Sequence, residues 1–537
     1  MVQPPRTTLY STLHPQPVSR RQFVHGLSLG LAATMGTAMG TGVAIAQTTK
    51  PNAPAAAPTS NTKEVSLVRP KQVDELSTRI KIVLEVSGQL RVSEGDSTAD
   101  DESSDASATL EVKGKSTLDY FEKIAFAEDA QSQNAAPAAA ARRYIEAEAE
   151  NWISGKSTSS KLRPDCAETR MLPHKGLWQQ YCDTNPLNSR EVQLLQSPIN
   201  SAAIELLLPL EPARPDSDWA VSADDAKQLF NLDAVHQSNL TAKISKVEQG
   251  VATIALRGEL DATANSVPTR LNIEGNFQAK LASRCAMVTW LGLVIKEDRQ
   301  ISQAEPGFDI TARVRLIREE SDAKIDIAPD ALRKLATGNG DDGGRWLVKL
   351  QSTAGRYAML ADRRWHIHRD SSEEAILRMV ENNSVIAQCS VSRLVELAPG
   401  QQLTMEGLQA DIKGLLGSSF GEFLESTERV TSTKLRMIRT VVGGELEEVP
   451  IQWVYTHLSD DNGRRLALIF TMGGTETDRF GAADEQMADS FEWLPDLPKP
   501  SEPKSDEPQP DLPDSESKSD ANGTKMTAER TQEKTKR

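Results

Sequence analysis

Three groups of side chains have the types and spacing that catalysis or metal binding requires. Gly417 to Gly421 reads Gly-Ser-Ser-Phe-Gly, which matches the G-x-S-x-G sequence of serine hydrolases with Ser419 at its centre. That chemistry needs a strand before the serine, a helix after it, and an acid and a histidine later in the chain. Here a helical pattern precedes Ser419, and His457 lies alone inside a strand pattern. We therefore predict that Ser419 is not a nucleophile.

A pair of histidines could contribute to a metal site. His366 and His368 lie in the sequence Trp-His-Ile-His, and strand alternation places both on one face. A metal site needs at least a third ligand. The other histidines beyond the N-terminal segment are distant in sequence: His174, His236 and His457. We predict two exposed strand histidines, no bound metal and no other cofactor.

Three glutamates alternate within Arg142 to Trp152. Glu146, Glu148 and Glu150 share one face if this run is a strand, although its apolar spacing also fits a helix. Paired carboxylates can act as general acid and base. A row of charges on a strand is more often a solvated face, which is the interpretation we favour.

The N-terminal segment determines where the protein functions. No acidic residue precedes Glu64, and a Gly/Ala/Thr-rich run follows the adjacent Arg20 and Arg21. Positive charge, a mildly apolar run and then a small-residue cleavage site are the order of a targeting peptide. With Phe23, the arginine pair resembles the twin-arginine export signal. The cleavage site is predicted at Ala44-Ile45-Ala46, with Ala44 and Ala46 as its small residues.

Export and charge limit the classes of partner. The signal predicts a periplasmic or extracellular protein. The formal net charge of −15 argues against a nucleic-acid partner, since an acidic surface releases no counterions from phosphates. We predict no transmembrane span in the mature chain. The remaining partner classes are another envelope protein and an apolar ligand.

Composition divides the chain into six segments. We predict a signal peptide at 1–46, a disordered Ala/Pro/Thr linker at 47–63, an antiparallel β region at 64–330, a linker at 331–344, an α+β domain at 345–494 and a disordered tail at 495–537.

The first globular region is mainly β. Ile80, Ile82 and Leu84 alternate with polar residues, which is typical of an antiparallel strand with one buried face. Similar alternation recurs up to residue 316. Glycines placed between apolar neighbours, such as Gly88 and Gly258, predict strongly curved sheets. Two interpretations remain: an open cradle for an apolar ligand, or sheets filled by their own side chains, which we favour.

Short helices and a cysteine pair interrupt these strands. Helices are predicted to begin near Asn188 and Ser222, each with an acidic residue three positions later. Cys166 and Cys182 both lie eight residues from His174. A hairpin centred there would place them opposite each other, and the exported compartment is oxidising. A Cys166–Cys182 disulfide is therefore a candidate.

The C-terminal region mixes strands with helices. We predict helices over about Met405–Leu424 and Asp478–Ser490, and strands around them. Residues over 345–494 resemble a PsbP-like domain, and the matching positions are Trp453, Tyr455, Gly463, Phe470, Thr471, Asp484, Ser490 and Phe491. The resemblance implies an antiparallel sheet between helices that is used for assembly and binding more than for catalysis.

These observations predict a mainly β protein with an α+β C-terminal domain: curved antiparallel sheets, then an antiparallel sheet flanked by helices. Its predicted role is an exported, non-enzymatic binding or scaffold protein of the cell envelope. One alternative is a carrier of lipid or another apolar ligand, which requires an apolar cavity in the first region. Another is a hydrolase or metalloprotein, which requires Ser419 or His366 and His368 to converge with an acid in one pocket.

The export signal can be tested by replacing both of its arginines. Arg20→Lys with Arg21→Lys keeps the charge but removes the arginine pair, so we expect the precursor to stay in the cytoplasm. Cell fractionation and immunoblotting of the precursor and mature forms measure this. Unchanged export of the double variant would contradict the twin-arginine assignment.

Overall fold

A computed structural model describes residues 67–69, 77–93, 107–126, 137–214, 217–281, 286–301, 306–337, 344–398 and 400–495. Several predicted features lie outside these residues: Arg20, Arg21, Phe23, Ala44, Ala46, the linker 47–63 and the tail 496–537. Their assignments stay predictions. The segments up to Leu494 belong to one compact unit.

Within the described residues, thirteen antiparallel strands form one large sheet. In chain order they are β1 (Ser77–Ser93), β2 (Ser107–Phe126), β3 (Pro137–Ile153), β4 (Lys156–Lys161), β5 (Glu168–His174), β6 (Leu177–Tyr181), β7 (Asp218–Ala220), β8 (Ala234–Ser238), β9 (Thr241–Glu248), β10 (Val251–Ala264), β11 (Val267–Leu281), β12 (Ala286–Arg299) and β13 (Gly307–Glu320). The pairing order is β6-β5-β3-β2-β1-β13-β12-β11-β10-β9-β7, with β4 on β3 and β8 on β10. The sheet is open, with β6 and β7 at its two ends.

One face of this sheet is apolar and buried, as strand alternation predicts. We call it the inner face. Its apolar residues include Ile80, Ile82, Leu84, Val86, Leu118, Ile254, Leu256, Ile273, Leu293, Ile295, Ile310, Ala312, Val314 and Leu316. Alternate residues such as Arg79, Lys81 and Arg315 point to the opposite, outer face and are exposed. The predicted fold class is confirmed.

Glycines mark places where neighbouring backbones come unusually close. Gly88 and Gly258 both have a φ of 153°. A Cβ on Gly88 would lie 2.2 Å from the backbone oxygen of Asp309 on β13, and one on Gly258 would lie 2.6 Å from the Cα of Leu240. Only glycine permits these approaches, and the predicted strong curvature of the sheet stays a prediction.

A segment of short helices, irregular chain and strand β7, between β6 and β8, lies on the inner face. We call its described residues, 188–214 and 217–232, the cover segment. It contains α1 (Ser189–Leu194), a 3₁₀ helix (Ser201–Leu207), β7 and α2 (Ala223–Phe230). Its apolar side chains share one core with the inner face: Leu194, Leu195, Ile199, Ile204, Leu207, Leu208, Ala226, Leu229, Phe230 and Leu232. The 3₁₀ helix contacts both β3 and β12, so it crosses the middle of the sheet.

Both predicted helix starts in the cover segment are confirmed. The Asn188 side chain accepts a hydrogen bond from the Glu191 backbone N–H, and the Glu191 carboxylate accepts one from the Asn188 N–H. The Ser222 hydroxyl accepts from the Asp225 N–H. These contacts satisfy amide groups that a helix start leaves unpaired. The 3₁₀ helix between them was not predicted.

The C-terminal region forms two further sheets among the described residues. The smaller has the order β14-β15-β23, and the larger has the order β16-β17-β18-β22-β21-β20-β19. These strands are β14 (Val348–Ser352), β15 (Tyr357–Ala361), β16 (Trp365–Asp370), β17 (Glu374–Glu381), β18 (Ser384–Leu394), β19 (Phe420–Val430), β20 (Arg436–Leu446), β21 (Val449–Ser459), β22 (Arg465–Gly473) and β23 (Glu492–Trp493).

Helices flank the seven-stranded sheet on both faces. On one face, α4 (Met405–Leu416) buries Leu408 and Ile412 against residues of β20 and β21. On the other lie α5 (Thr477–Phe480) and α6 (Ala483–Asp489), whose Phe480 and Met487 join a second core. The sequence prediction of an antiparallel sheet between helices is therefore correct for this region.

Helix boundaries in this region differ from the predicted ones. The predicted helix Met405–Leu424 ends at Leu416, because Gly417 adopts a positive φ of 53° that stops the helix, and Leu424 lies in β19. The predicted helix Asp478–Ser490 is split into α5 and α6 by Gly481, which also has a positive φ. Helix α3 (Pro329–Thr337) covers residues 331–337 of the predicted linker and buries Leu332.

The close approach of β1 and β13 can be tested at Gly88. A methyl group there must push against the β13 backbone, so Gly88→Ala is expected to destabilise the fold by about 2–4 kcal/mol. Gly473 is a matched control, because a Cβ there meets no atom nearer than 3.9 Å and its φ is −64°. Urea unfolding of Gly88→Ala and Gly473→Ala measures both effects. Equal midpoints for the two variants would contradict the close-approach argument.

Candidate functional site

Ser419 lies in a context opposite to that of a nucleophile elbow. It ends a 3₁₀ turn, Gly417–Ser419, with a helix before it and strand β19 after it. Gly421, the last residue of the G-x-S-x-G match, has a packing role. A Cβ there would lie 2.7 Å from the Gly443 oxygen of β20. Strand pairing also separates Ser419 from His457 by about 20 Å along the sheet.

His366 and His368 lie at an irregular part of strand β16. His366 is exposed and His368 is half-buried, with a β-bulge between Ile367 and Arg369. Burial, with the charge of Arg378, lowers the pKa of His368. Across the described residues, no group of three or more His, Cys, Asp and Glu side chains has an arrangement that could hold a metal ion.

The three alternating glutamates lie on a strand and face outward. β3 contains all of them, which selects the strand over the helix interpretation. Glu148 and Glu150 are exposed and Glu146 is half-buried. Glu150 is in register with Lys115 of β2, and Glu148 with Lys161 of β4. Opposite charges thus face each other across the outer face, as in a solvated ladder.

The cysteine pair is close together, but for a reason other than the predicted one. The hairpin of β5 and β6 turns at Lys175 and Gly176, so the prediction of a hairpin centred on His174 is wrong. Cys166 instead ends a 3₁₀ turn, and the Cys182 thiol donates to the carbonyl of the preceding residue, Asp165, at 3.6 Å. Burial, with Cys182 adding to it, raises the pKa of the Cys166 thiol to about 12. The two cysteines are not bonded to each other in the structure, and the disulfide stays a prediction.

The inner face and its cover segment form the candidate site. This surface combines a large apolar area with a few buried charged groups at its margins, which is the composition of many ligand sites. The described residues around it are packed, and the cover segment fills the space over the sheet. A ligand therefore has access only where the cover segment separates from the sheet.

A buried polar network connects the cover segment to β2 and β3. The Ser201 hydroxyl of the 3₁₀ helix donates to Glu122 at 2.7 Å and accepts from Arg142 at 2.9 Å. Tyr120 lies 2.8 Å from the same hydroxyl, and Arg142 pairs with Glu122 at 2.8 Å. Burial is the largest cause of the raised pKa of Tyr120, and the phenol therefore stays protonated. Among the described residues, Glu122 Oε2 is buried without a hydrogen-bond partner.

Two further ion pairs attach the same helical segment. Arg318 of β13 pairs with Glu205 of the 3₁₀ helix, and its side chain is only 6% exposed. Arg69 donates to the Leu206 and Leu208 carbonyls and pairs with Asp225 of α2 at 2.9 Å. Arg69 belongs to neither the sheet nor the cover segment, and its contacts join the end of the 3₁₀ helix to α2; we call it the outer brace.

The opposite end of the inner face has a different kind of ion pair. Glu297 and Arg299 are two residues apart on β12 and pair at 2.6 Å. The Arg299 guanidinium lies over the Phe308 ring, 4.9 Å from its centroid. Both charges come from one strand, so this pair does not depend on the cover segment.

A small crevice lies in the C-terminal region. It measures about 10 Å³, and Leu350, Tyr357, Met359 and Asp370 line it among other residues. This volume holds about one water molecule. Asp370 accepts a hydrogen bond from Ser352 at 2.6 Å there. The crevice is therefore too small for an organic ligand.

The C-terminal positions that resemble a PsbP-like domain are structural. Asp484 is fully buried and pairs with Arg439 of β20 at 2.5 Å, which attaches α6 to the sheet. The Ser490 hydroxyl accepts from the Leu360 N–H at 2.9 Å and donates to the Gln486 carbonyl. These residues therefore position helices instead of forming a reactive centre.

The junction between the first sheet and the C-terminal region is aromatic and cationic. Trp346 stacks on His174 with ring centroids 4.3 Å apart, and its backbone carbonyl accepts from Arg363. Arg363 also donates to the Gln180 carbonyl of β6. Burial lowers the pKa of Arg363 to about 10. This contact fixes β14 and β15 near the start of the cover segment.

Comparisons with known proteins give no family. No protein-family model and no curated protein matches the chain. A structure described as "Lipid-protein interactions in lipovitellin" is 8% identical over 48% of this chain and 27% of the lipovitellin chain, with a TM-score of 0.27. A BenF-like porin from Pseudomonas fluorescens Pf-5 is 7% identical over 74% of this chain and 98% of its own, with a TM-score of 0.10. OprD from Pseudomonas aeruginosa is 8% identical over 76% and 97%, also at 0.10. TM-scores this low support no functional conclusion, and the PsbP-like resemblance stays a prediction.

In the part of the chain that the structure describes, no helix is long and apolar enough to cross a membrane.

The residues that attach the cover segment were not predicted from sequence. The sequence feature that could have identified them is a charged residue at a position where strand alternation predicts an apolar one. Arg318 is such a residue, because it follows Ile310, Ala312, Val314 and Leu316 at the same two-residue spacing. Glu122 continues the apolar series of β2 in the same way.

The pH dependence of stability can be traced to one buried histidine. His457 of β21 is 2% exposed, and neither ring nitrogen has a hydrogen-bond partner among the described residues. Burial, and then the charges of Arg465 and Arg436, lower its pKa from 6.5 to about 4. The folded state therefore favours the neutral ring. Its stabilisation is full above pH ~6.5 and is lost as the pH falls towards ~4, by about 3 kcal/mol in total.

Substitution isolates this contribution from that of the carboxylates. We expect the difference in unfolding free energy between wild type and His457→Phe to shift by about 3 kcal/mol between pH ~7 and ~4. The exposed His236 provides the control, and the difference for His236→Phe should stay nearly constant. Urea titrations across this pH range measure both. A constant difference for His457→Phe would show that His457 is not held neutral.

Proposed function

We propose that the protein is an exported, non-enzymatic binding protein of the cell envelope, and that it binds an apolar ligand on the inner face. One observation carries this proposal: the apolar face of an open sheet is covered by a segment of short helices that contributes only the edge strand β7 to the sheet. In a sheet closed on itself the strands would bury that surface without help. Displacing this segment would break only the three-residue pairing of β7 with β9 at the sheet edge and would leave the other strands paired.

The composition of the cover segment supports this function. Its helices have six to eight residues, and helices of this length are not stable without tertiary contacts. Central strands beneath them, such as β2, β10 and β13, are 14 to 20 residues long and are paired on both sides. Separation of the segment therefore costs less than opening the sheet, and local opening of this kind is common in binding proteins.

The alternatives from sequence have less support. A hydrolase needs Ser419 aligned with a base, and the strand register places His457 far from it. A metalloprotein needs a third ligand beside His366 and His368, and the described residues contain no suitable cluster. A purely scaffolding role would leave the inner face permanently covered, which the following experiment distinguishes.

Photolabelling with a neutral lipid probe tests the proposal. The exported protein is incubated with a long-chain alcohol that carries a diazirine near its methyl end, irradiated, digested and sequenced by mass spectrometry. We expect saturable labelling of inner-face residues such as Leu84 and Ala312, which an excess of unlabelled alcohol prevents. Labelling confined to exposed apolar residues such as Leu424 and Val430, or no saturable labelling, would refute the proposal.

A variant of the outer brace gives a second measurement. Arg69→Gln removes contacts to Leu206, Leu208 and Asp225 without changing the inner face, so the probe should enter faster. We expect an increase of about tenfold in the labelling rate, which corresponds to about 1.4 kcal/mol of lost attachment. Arg79→Gln is the matched control, because Arg79 lies on the outer face and pairs with Asp119. Equal rates for the two variants would exclude the cover segment as the entry route.

A further inference from the structure

Two buried guanidinium groups lie at one end of the inner face, and the cover segment provides a partner for each. Arg318 pairs with Glu205, and Arg142 donates to Ser201 at 2.9 Å. Their side chains are 6% and 4% exposed. Strand register places them together, because Arg318 pairs with Ile80 of β1 and Ile80 with Tyr120 of β2, two residues from the Glu122 that holds Arg142.

Both partners from the cover segment belong to the same short helix. Ser201 and Glu205 are the first and fifth residues of the 3₁₀ helix, so a displacement of that helix removes both from the sheet. Arg142 would keep Glu122, which lies on the neighbouring strand. Arg318 would lose Glu205, the acid it pairs with. An unpaired cation next to an apolar surface is strongly unfavourable.

We propose that the inner face takes a long-chain carboxylate, a ligand of the fatty-acid class, whose headgroup replaces Glu205 on Arg318. This inference rests on the proposed function and adds the chemistry of the ligand. The headgroup presents to Arg318 the same carboxylate that Glu205 presents, and planar pairing with carboxylates is the strength of an arginine.

The apolar surface beyond Arg318 has the length of one acyl chain. From Leu316 to Ile310 the inner-face residues of β13 run for about 20 Å. One leaflet of a bilayer has a hydrocarbon thickness of about 15 Å, which is the length of one acyl chain. A chain bound along β13 would therefore end within the apolar part of the inner face.

The charge pair at the other end of the inner face does not compete for this role. Glu297 and Arg299 belong to one strand and remain paired when the cover segment moves. A ligand headgroup could bind Arg299 only by displacing Glu297, which does not move away with the cover segment. Arg318 alone loses its acid through the same movement that opens the surface.

Equilibrium binding of two ligands with equal chain length tests the inference on the full exported protein. The ligands are a saturated carboxylic acid and the corresponding alcohol, each competing with the neutral photoprobe. We expect the wild type to prefer the carboxylate. Glu205→Gln removes the competing acid and should raise carboxylate affinity about tenfold, with a smaller change for the alcohol.

A double variant keeps the test independent of folding. Glu205→Gln with Arg318→Gln leaves no unpaired charge, so the cover segment can still pack, and it should abolish the preference for the carboxylate. Arg315→Gln is the matched control, because Arg315 is exposed on the outer face of the same strand and the preference should persist. Circular dichroism and thermal unfolding confirm that each variant is folded.

The outcomes separate this inference from the proposed function. Binding of both ligands without preference, or a preference that survives in the double variant, would overturn the carboxylate assignment and leave an apolar site. A fall in carboxylate affinity on Glu205→Gln would overturn it as well. Failure of both ligands to bind would reject the proposed function itself.

Discussion

Apolar side chains on one face of an open sheet must be removed from water, and this need organises the first half of the molecule. Burial of one Leu or Ile side chain contributes about 1.5–3 kcal/mol, and more than a dozen such residues lie on the inner face. The strands cannot cover them, because β6 and β7 end the sheet without meeting. The cover segment does so with helices too short to form alone. The cover segment therefore depends on the sheet for its own folded structure.

Polar contacts decide where the cover segment lies on that surface. Apolar contacts are not directional, so a helix could slide along the inner face with little change in buried area. Ser201 between Glu122 and Arg142, and Glu205 on Arg318, fix one position. Buried ion pairs add little net stability compared with apolar packing but can specify one arrangement. The cover segment is thus placed accurately without being held very tightly.

The sequence predicted the elements that local patterns encode and missed those that depend on distant partners. Alternation of Ile80, Ile82 and Leu84 identified the strands, and the capping residues Asn188 and Ser222 identified two helices. The large sheet pairs β1 with β13, more than 200 residues apart, which no local pattern shows. The cysteine pair was placed close together for the wrong reason, since a 3₁₀ turn and not the hairpin register brings Cys166 to Cys182. The charged residues that contact the cover segment occur as single exceptions in apolar series, and only the fold shows that Arg318 and Glu205 meet.

The energetic balance between the covered and the ligand-bound states follows from this arrangement. In the proposed ligand-bound state, an acyl chain between the cover segment and the sheet keeps both apolar surfaces away from water. The free energy of apolar burial is therefore nearly the same in the covered and the ligand-bound states. What changes is the small set of charged contacts at Arg318 and Arg142. A buried guanidinium strongly requires an acid, and it does not distinguish whether the acid belongs to the protein or to a ligand. A few ionic contacts can therefore control access to a surface whose apolar burial is many times larger.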